Sequence, residues 1–432
     1  MPVPIICLDD DLCHFVERYR QCFSKPQYQY FVIVLLGLML CEGRRTLEGL
    51  LRQVAEATSL AGLSRFLSQA PWDEGEVAKQ WLSDFRQAME PAVKAEQARR
   101  RQVQPKRRGR PSVPLVTGYL IGDDSTMHKP KGRKMQGLGH HHSTTHEQRV
   151  VGHSLVQGLY VLLGRSCPLP PQLYRQQVTC EAEGVAFQSK IALMQECIRS
   201  FEPVDGTRTH VLFDSWYCAK VIWKAARQRD FLITTGLKSN RWLRIEDPTA
   251  EQGWRWQRLS DYTAQLQESS YQQVKWPNSE QEVYVHVVTT RVRKLYQCQV
   301  IIVRHSLDAP LAQTRSWASS DLEADLPTLL THIATRWKIE VLFGDGKEEL
   351  GLDHYQLMST VAIVRFWTLA LLAYVFLEEE RSRLQQQWQR PVTIGEARRE
   401  IQRRHRRRVL NWLHDQFQSG VQPDSLYDRF AA

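Results

Sequence analysis

Paired cysteines are missing from this chain of 432 residues: its nine cysteines (Cys7, Cys13, Cys22, Cys41, Cys167, Cys180, Cys197, Cys218, Cys298) are scattered and form no C-x-x-C pair. Neither a disulfide framework nor a zinc ribbon is indicated, and a reducing cytosol is the compartment expected. Residues 1–10 lack the order of basic then apolar residues that marks a secretion signal, so export is not expected. Apolar runs long enough to span a bilayer are lacking too. Residues 31–41 are too few, and residues 361–376 fall short and carry Arg365 in their middle, so both read as buried helices. Acidic charge is in deficit, with 57 Lys and Arg against 47 Asp and Glu, a formal net charge of +10 and a pI near 9.2. Such a surplus attracts nucleic acid or an anionic membrane surface, and alone does not separate them.

Hydrophobic content of 42% and charged content of 24% are those of an ordinary soluble protein, long enough here for two or three domains with real cores. Residues 1–98 read as a helical N-terminal region. Apolar residues recur there at helical spacing, and residues 72–89 form one amphipathic member. Residues 99–112, with Arg99-Arg100-Arg101 and Lys106-Arg107-Arg108, read as a basic linker, either a solvated connection or a strip that contacts phosphate.

Beyond the linker the period changes. Residues 113–237 predict the first part of a mixed α/β core: strands at 113–121, 150–163 and 173–178, a helix at 185–201, a buried strand at 209–213 ending at Asp214, a helix at 218–228 and a strand at 231–235. Residues 238–306 are rich in tryptophan and tyrosine among polar residues, then give two strands, and read as a β-rich insertion. Residues 307–380 hold the second part of the core, with a long helix over 326–350 carrying Glu340 and a mostly buried helix over 359–380. Residues 381–432 are a basic helical region, densest at Arg403-Arg404-His405-Arg406-Arg407-Arg408.

Two acids at predicted strand ends, Asp124 and Asp214, join Glu340 on its helix. Carboxylates at the ends of adjacent strands converge on one sheet edge, where a helix packed alongside adds a third. Three such groups repel unless a divalent cation relieves them. A pair of Mg²⁺ ions about 3.5–4 Å apart would suit phosphodiester chemistry. Arg336 lies four residues before Glu340 and Lys347 seven after it, so a helix projects all three from nearly one face. Alone that is a solvated ion-pair face; beside two more acids, the cations become clamps for phosphate. The histidines at 140–142, with His146 and His153, invite a transition-metal reading, but three consecutive imidazoles cannot share a face and loop positions are expected for them.

The order of Gly122-Asp123-Asp124-Ser125-Thr126 with Lys129-Pro130-Lys131-Gly132, then Phe213-Asp214-Ser215-Trp216-Tyr217, then Arg336-Trp337-Lys338-Ile339-Glu340 with Lys347 and Leu350-Gly351-Leu352, resembles bacterial insertion-sequence DDE transposases. The likeness runs over residues 115–376. It implies an RNase H-like mixed sheet core with a β-rich insertion, Asp124, Asp214 and Glu340 as catalytic ligands of two Mg²⁺ ions for which Mn²⁺ can substitute, and cut-and-paste transposition through a hairpin end. It also implies double-stranded DNA, both transposon ends and target, as the partner, a homodimer on DNA, and a bacterial, nucleoid-associated location. Asp123 competes with Asp124 for the first acid. Asp124 is preferred because Asp followed by small hydroxyl residues matches the family block, and Asp123 would point to the opposite side of an extended segment. The family's helix signature places tyrosine where this chain has Ile333, which removes a hydroxyl expected near the DNA backbone. Trp337 is either a stacking surface for a flipped base or a filler between helix and sheet. Lys129, Lys131 and Arg133 are expected to line the DNA path with Arg336 and Lys347. Two other classes stay open: a silent transposase-derived DNA-binding protein, and an RNase H-like nuclease without strand transfer.

Overall fold

The computed structural model describes residues 10–52, 59–103, 114–143 and 147–426. The N-terminal region folds as α1 (Asp10–Glu17), α2 (Lys25–Leu40), α3 (Leu47–Leu51), α4 (Leu60–Ser68) and α5 (Glu74–Val103). Helix α2 starts at a capping box, with Ser24 and Gln27 satisfying each other's backbone N–H groups, and is buried without a break from Phe31 to Leu40. A helix with no polar face has to be enclosed. In α5 the buried residues Val77, Trp81, Phe85, Met89 and Val93 recur every four positions, so the apolar stripe carries the helix past the expected end at 89 and on through Pro91. Arg99, Arg100 and Arg101 are its last turns rather than linker. The remaining linker positions, 104–112, lie outside the described residues.

The core follows as β1 (Val116–His128), β2 (Gly139–Ser143), β3 (Gln148–Leu162), β4 (Arg165–Pro168), β5 (Gln172–Tyr174), α6 (Gln177–Glu183), α7 (Lys190–Ser200), β6 (Thr207–Phe213), α8 (Lys220–Gln228) and β7 (Leu232–Gly236). The β-rich segment supplies β8 (Trp242–Glu246), β9 (Trp254–Arg258), α9 (Leu259–Gln265), β10 (Gln272–Lys275), β11 (Glu282–Arg291) and β12 (Gln297–Arg304). The chain ends with β13 (Arg315–Ser319), α10 (Leu326–Thr335), α11 (Lys338–Glu348), α12 (Thr360–Trp388) and α13 (Ile394–Gln418).

One mixed sheet runs β10-β11-β12-β13-β7-β6-β1-β3-β2, with β4 and β5 also paired to β3, while β8 and β9 form a separate hairpin. Strands β1, β6 and β7 are parallel and the remaining pairs antiparallel, the mixed α/β arrangement expected. Five of the seven residues of β6 are buried, as befits a central parallel strand covered on both faces. Strands β10, β11 and β12 lengthen this sheet rather than standing apart from it.

Several elements differ from expectation. His140, His141 and His142 are not in a loop but in strand β2, and His153 is inside β3, with His141 and His153 both buried. Residues 185–189 precede α7, and Val178 belongs to α6. The helix expected over 326–350 is two helices, because the N–H groups of Trp337, Ile339 and Glu340 bond three residues back instead of four. That tightening breaks the α-helical ladder at Arg336 and Trp337.

Among the described residues one helix, α12, is long and apolar enough to cross a membrane, and 83% of that stretch is buried inside the protein. Its mid-helix Arg365 donates to the carbonyls of Leu67, Ala70 and Trp72 and pairs with Glu74 at 3.2 Å, tying α12 to the ends of α4 and α5. Enclosure by the N-terminal helices makes α12 the centre of a core.

Candidate active site

The register of β1 against β6 sets the site. Gly122 is the last β1 residue paired to β6, opposite Phe213, so Asp123 on β1 stands level with Asp214 just beyond the end of β6. The first pair of acids therefore lies within a strand, not at its end as expected, and β1 runs on to His128. Gly122 is required here: a Cβ would sit 2.2 Å from the Phe213 ring and 2.5 Å from Met194 Sδ.

Alternation then separates the two neighbours. Tyr119, on the same face as Asp123, lies 3.2 Å from His332 Nδ1 on α10, whereas Gly122, on the face of Asp124, looks onto Met194 of α7. Asp123 accordingly meets Arg336, with Oδ2 3.5 Å from Nη1, and the other arm of that guanidinium holds Glu340. Asp124 turns away to α7. It pairs with Lys190 and accepts from Tyr217 Oη at 3.0 Å. The strand faces thus place Asp123 with Arg336 and Glu340, and Asp124 with Lys190 and Tyr217, while the charge of Asp124 still acts on Asp214.

Asp214 Oδ1 accepts the backbone N–H groups of Trp216 and Tyr217 at 2.9 and 3.2 Å. Burial, and to a lesser degree the charge of Asp124, raises its proton affinity against those two bonds and against Arg336. Asp123 is pushed up to about 7 by burial and then by Asp214, with Arg336 opposing. A carboxyl that holds its proton this late, beside two more acids and one guanidinium, marks a place short of positive charge.

The other expected residues divide. Trp337 is 59% exposed, which rules out its role as a filler between helix and sheet. Ile333, expected near DNA, is buried with Val283, Val285, Ile301, Val303, Leu329 and Leu330 in a second core between α10 and the sheet. Lys129 is also buried: its Nζ donates to the carbonyls of Asp353 and Tyr355 at 2.5 and 2.7 Å and lies 3.5 Å above the Tyr355 ring, so it fastens a loop and does not line a DNA path. Burial lowers its pKa to about 8. Lys347 is lowered by burial as well, and the acid acting on it is Asp353. Lys131 and Arg133 are exposed in the turn after β1.

Residues that the sequence reading did not assign also surround the acids. Trp216, two residues past Asp214, is 49% exposed and opens a groove of about 530 Å³ lined by Lys238, Arg241, Trp242, Arg293 and Lys294. Lys190 carried no motif that could have singled it out. The tryptophan beside Asp214 was visible, but its exposure was not.

A search of curated proteins returns no match. Among solved structures the chain is similar to a piggyBac transposase, seen by cryo-electron microscopy in a synaptic complex with hairpin DNA, at 8% identity and a TM-score of 0.45, over 98% of this chain and 80% of that one. The family model described as DDE superfamily endonuclease matches residues 18–298, which include Asp123, Asp124 and Asp214. That match spans more than half of the sequence, and the chain belongs to the DDE superfamily endonucleases.

Proposed function

We propose that this protein is a DDE transposase that binds the ends of its own mobile element, cleaves them in a divalent-metal-dependent reaction and joins the freed 3′-hydroxyls to target DNA. What supports this reading is that Asp123 and Glu340 share Arg336, and that Asp214, level with Asp123 beyond the end of β6, is acted on by the same guanidinium. Three carboxylates are an all-oxygen donor set, which fits Mg²⁺ or Mn²⁺ better than a softer ion. The raised pKa of Asp123 fits as well, since a cation would replace the proton that burial and Asp214 now favour. When bound, the metal supplies charge neutralisation at the scissile phosphate and an activated hydroxyl.

The chain's own groups do the rest. Asp123 and Asp214 are held level by strand pairing, so their spacing is fixed before substrate arrives. Arg336 neutralises Asp123 and Glu340 in the metal-free protein; once a cation takes that role, the guanidinium is available to a phosphate. Trp337 and Trp216, both exposed, offer rings for unstacked bases, and Lys131, Arg133 and the basic groove offer phosphate contacts. Lys129 is left out of this set. The N-terminal helices and the basic tail are assigned to end recognition and to pairing of two copies on DNA.

The test uses a supercoiled plasmid carrying the DNA that flanks this reading frame. The wild-type protein with Mg²⁺ is expected to nick and join it, and Glu340→Gln to bind the same DNA yet cleave at least about a thousandfold more slowly. Cleavage by Glu340→Gln at the wild-type rate would remove the assignment.

A further inference from the structure

A second set of metal-binding side chains lies in the protein interior, separate from the acids. His210 is in the middle of β6, His332 is on α10, and Asp321 is in the loop between β13 and α10. Their ligand atoms all lie within 4.8 Å of one another, and the two imidazole rings are 3.9 Å apart between centroids. His210 is fully buried and His332 is 3% exposed.

Hydrogen bonding leaves the inward nitrogens bare. Thr234 Oγ1 donates to Ser319 Oγ at 2.9 Å, so its contact with His210 Nε2 at 2.8 Å is one in which the imidazole N–H donates. In that tautomer His210 carries its lone pair on Nδ1, and Nδ1 has no partner among the described residues. His332 Nδ1 is engaged by Tyr119 Oη at 3.2 Å, and its Nε2 likewise has no hydrogen-bond partner among the described residues, with Asp321 Oδ2 standing 4.0 Å away. Two buried imidazole nitrogens without partners are costly in a core built only for packing. A metal-binding histidine, in contrast, characteristically gives its outer nitrogen to an oxygen and keeps its inner lone pair for the ion.

His153 supplies the contrast within the same protein. It is as buried as His210, yet both of its nitrogens are satisfied, by Tyr355 Oη and by the Gln136 carbonyl, each at 2.8 Å. It is a packed core histidine with no place for an ion.

We propose that His210 Nδ1, His332 Nε2 and Asp321 bind a divalent first-row transition ion, with zinc as the best match. Two nitrogens and one carboxylate oxygen make a borderline-soft set that suits Zn²⁺ and not Mg²⁺. Ligand atoms around tetrahedral zinc sit closer together than here, and Asp321, on a loop and still reached by solvent, is the group able to close on the ion and admit it. The ion would join α10 to β6. His332 is one helical turn before Arg336, and His210 is four residues before Asp214, so the same bond would fix the segments that lead to Arg336 and to Asp214. This site shares no residue with the acids and does not depend on their function.

The experiment uses the untagged full-length chain, stripped with chelator and titrated with Co²⁺ and Zn²⁺ in the presence of excess Mg²⁺. One Co²⁺ per chain with a visible ligand-field band is expected, unchanged in the Asp123→Asn/Glu340→Gln double variant. Zn²⁺ is expected to raise Tm in both of these proteins. Asp321→Asn, at the rim where folding is not at stake, should weaken Co²⁺ binding at least about tenfold with an unaltered circular dichroism spectrum, and His332→Gln should abolish it. Failure of the wild type to bind Co²⁺ under Mg²⁺, or equal binding by Asp321→Asn and His332→Gln, would overturn the proposal.

Discussion

Asp123 and Asp124 are chemically identical neighbours in different surroundings. Asp124 is paired with Lys190 and hydrogen-bonded by Tyr217, which ties it to α7. Asp123 is left with a shared guanidinium and the half-buried Asp214 nearby. Its pKa of about 7 lies above the ordinary carboxyl value of 3.8, so the folded chain holds a proton that the unfolded chain has released. Metal-free stability should therefore fall as pH rises from about 4 to about 7, by on the order of 1–4 kcal/mol. Thermal unfolding without metal at pH 5 and pH 8 would show it: the wild type should lose more Tm than Asp123→Asn. At pH 8, added Mg²⁺ should restore the wild type and leave the variant unchanged. The presence of an acid pair was legible in the sequence, but which member faces the helix was not. That depends on strand register, and a one-residue change exchanges the faces.

At the scale of elements, the boundary between α10 and α11 was hidden because Arg336 and Trp337 are compatible with a continuous helix; what interrupts it is a run of three-residue hydrogen bonds. The interruption keeps the Arg336–Glu340 pair together while presenting Trp337 to solvent. Trp337→Ala should leave stability within about 0.5 kcal/mol, as for an exposed side chain, and reduce cleavage of end DNA by weakening base stacking worth about 1–3 kcal/mol. Unfolding and cleavage rates measured on one preparation would separate the two effects. Ile333 gives the converse case. Sequence comparison suggested a lost DNA contact, whereas the side chain fills the core beneath β11 and β12. Restoring tyrosine by Ile333→Tyr should overpack that core and cost about 1–3 kcal/mol, measurable by urea unfolding, with no gain in DNA binding.

Across the whole molecule, the helical ends and the sheet are held by arginines as much as by apolar contact. Arg365 satisfies carbonyls at the ends of α4 and α5, and Arg398 donates to the carbonyls of Met39 and Cys41 at the end of α2 while pairing with Glu349 at 3.0 Å. Part of the positive charge that the sequence assigned to a polyanion is thus internal. Arg403, Arg404, Arg406 and Arg408 of the basic tail also have acidic partners. Removing Arg365 with Arg365→Ala should strand buried carbonyls and cost about 3–5 kcal/mol, read as a lowered midpoint of thermal unfolding. The alternation of strands and helices, the β-rich segment and both apolar helices were readable from period and composition. The extension of one sheet through that segment was not, because pairing between strands distant in sequence leaves no local pattern.

The central claim, that Asp123, Asp214 and Glu340 form one metal-binding catalytic set, is tested most directly by comparing Asp123→Asn with Asp124→Asn for Mg²⁺-dependent nicking of the flanking-DNA plasmid. The account predicts loss of at least about a thousandfold for Asp123→Asn, with measurable nicking retained by Asp124→Asn. Nicking by Asp123→Asn at the wild-type rate, with activity abolished in Asp124→Asn, would contradict it.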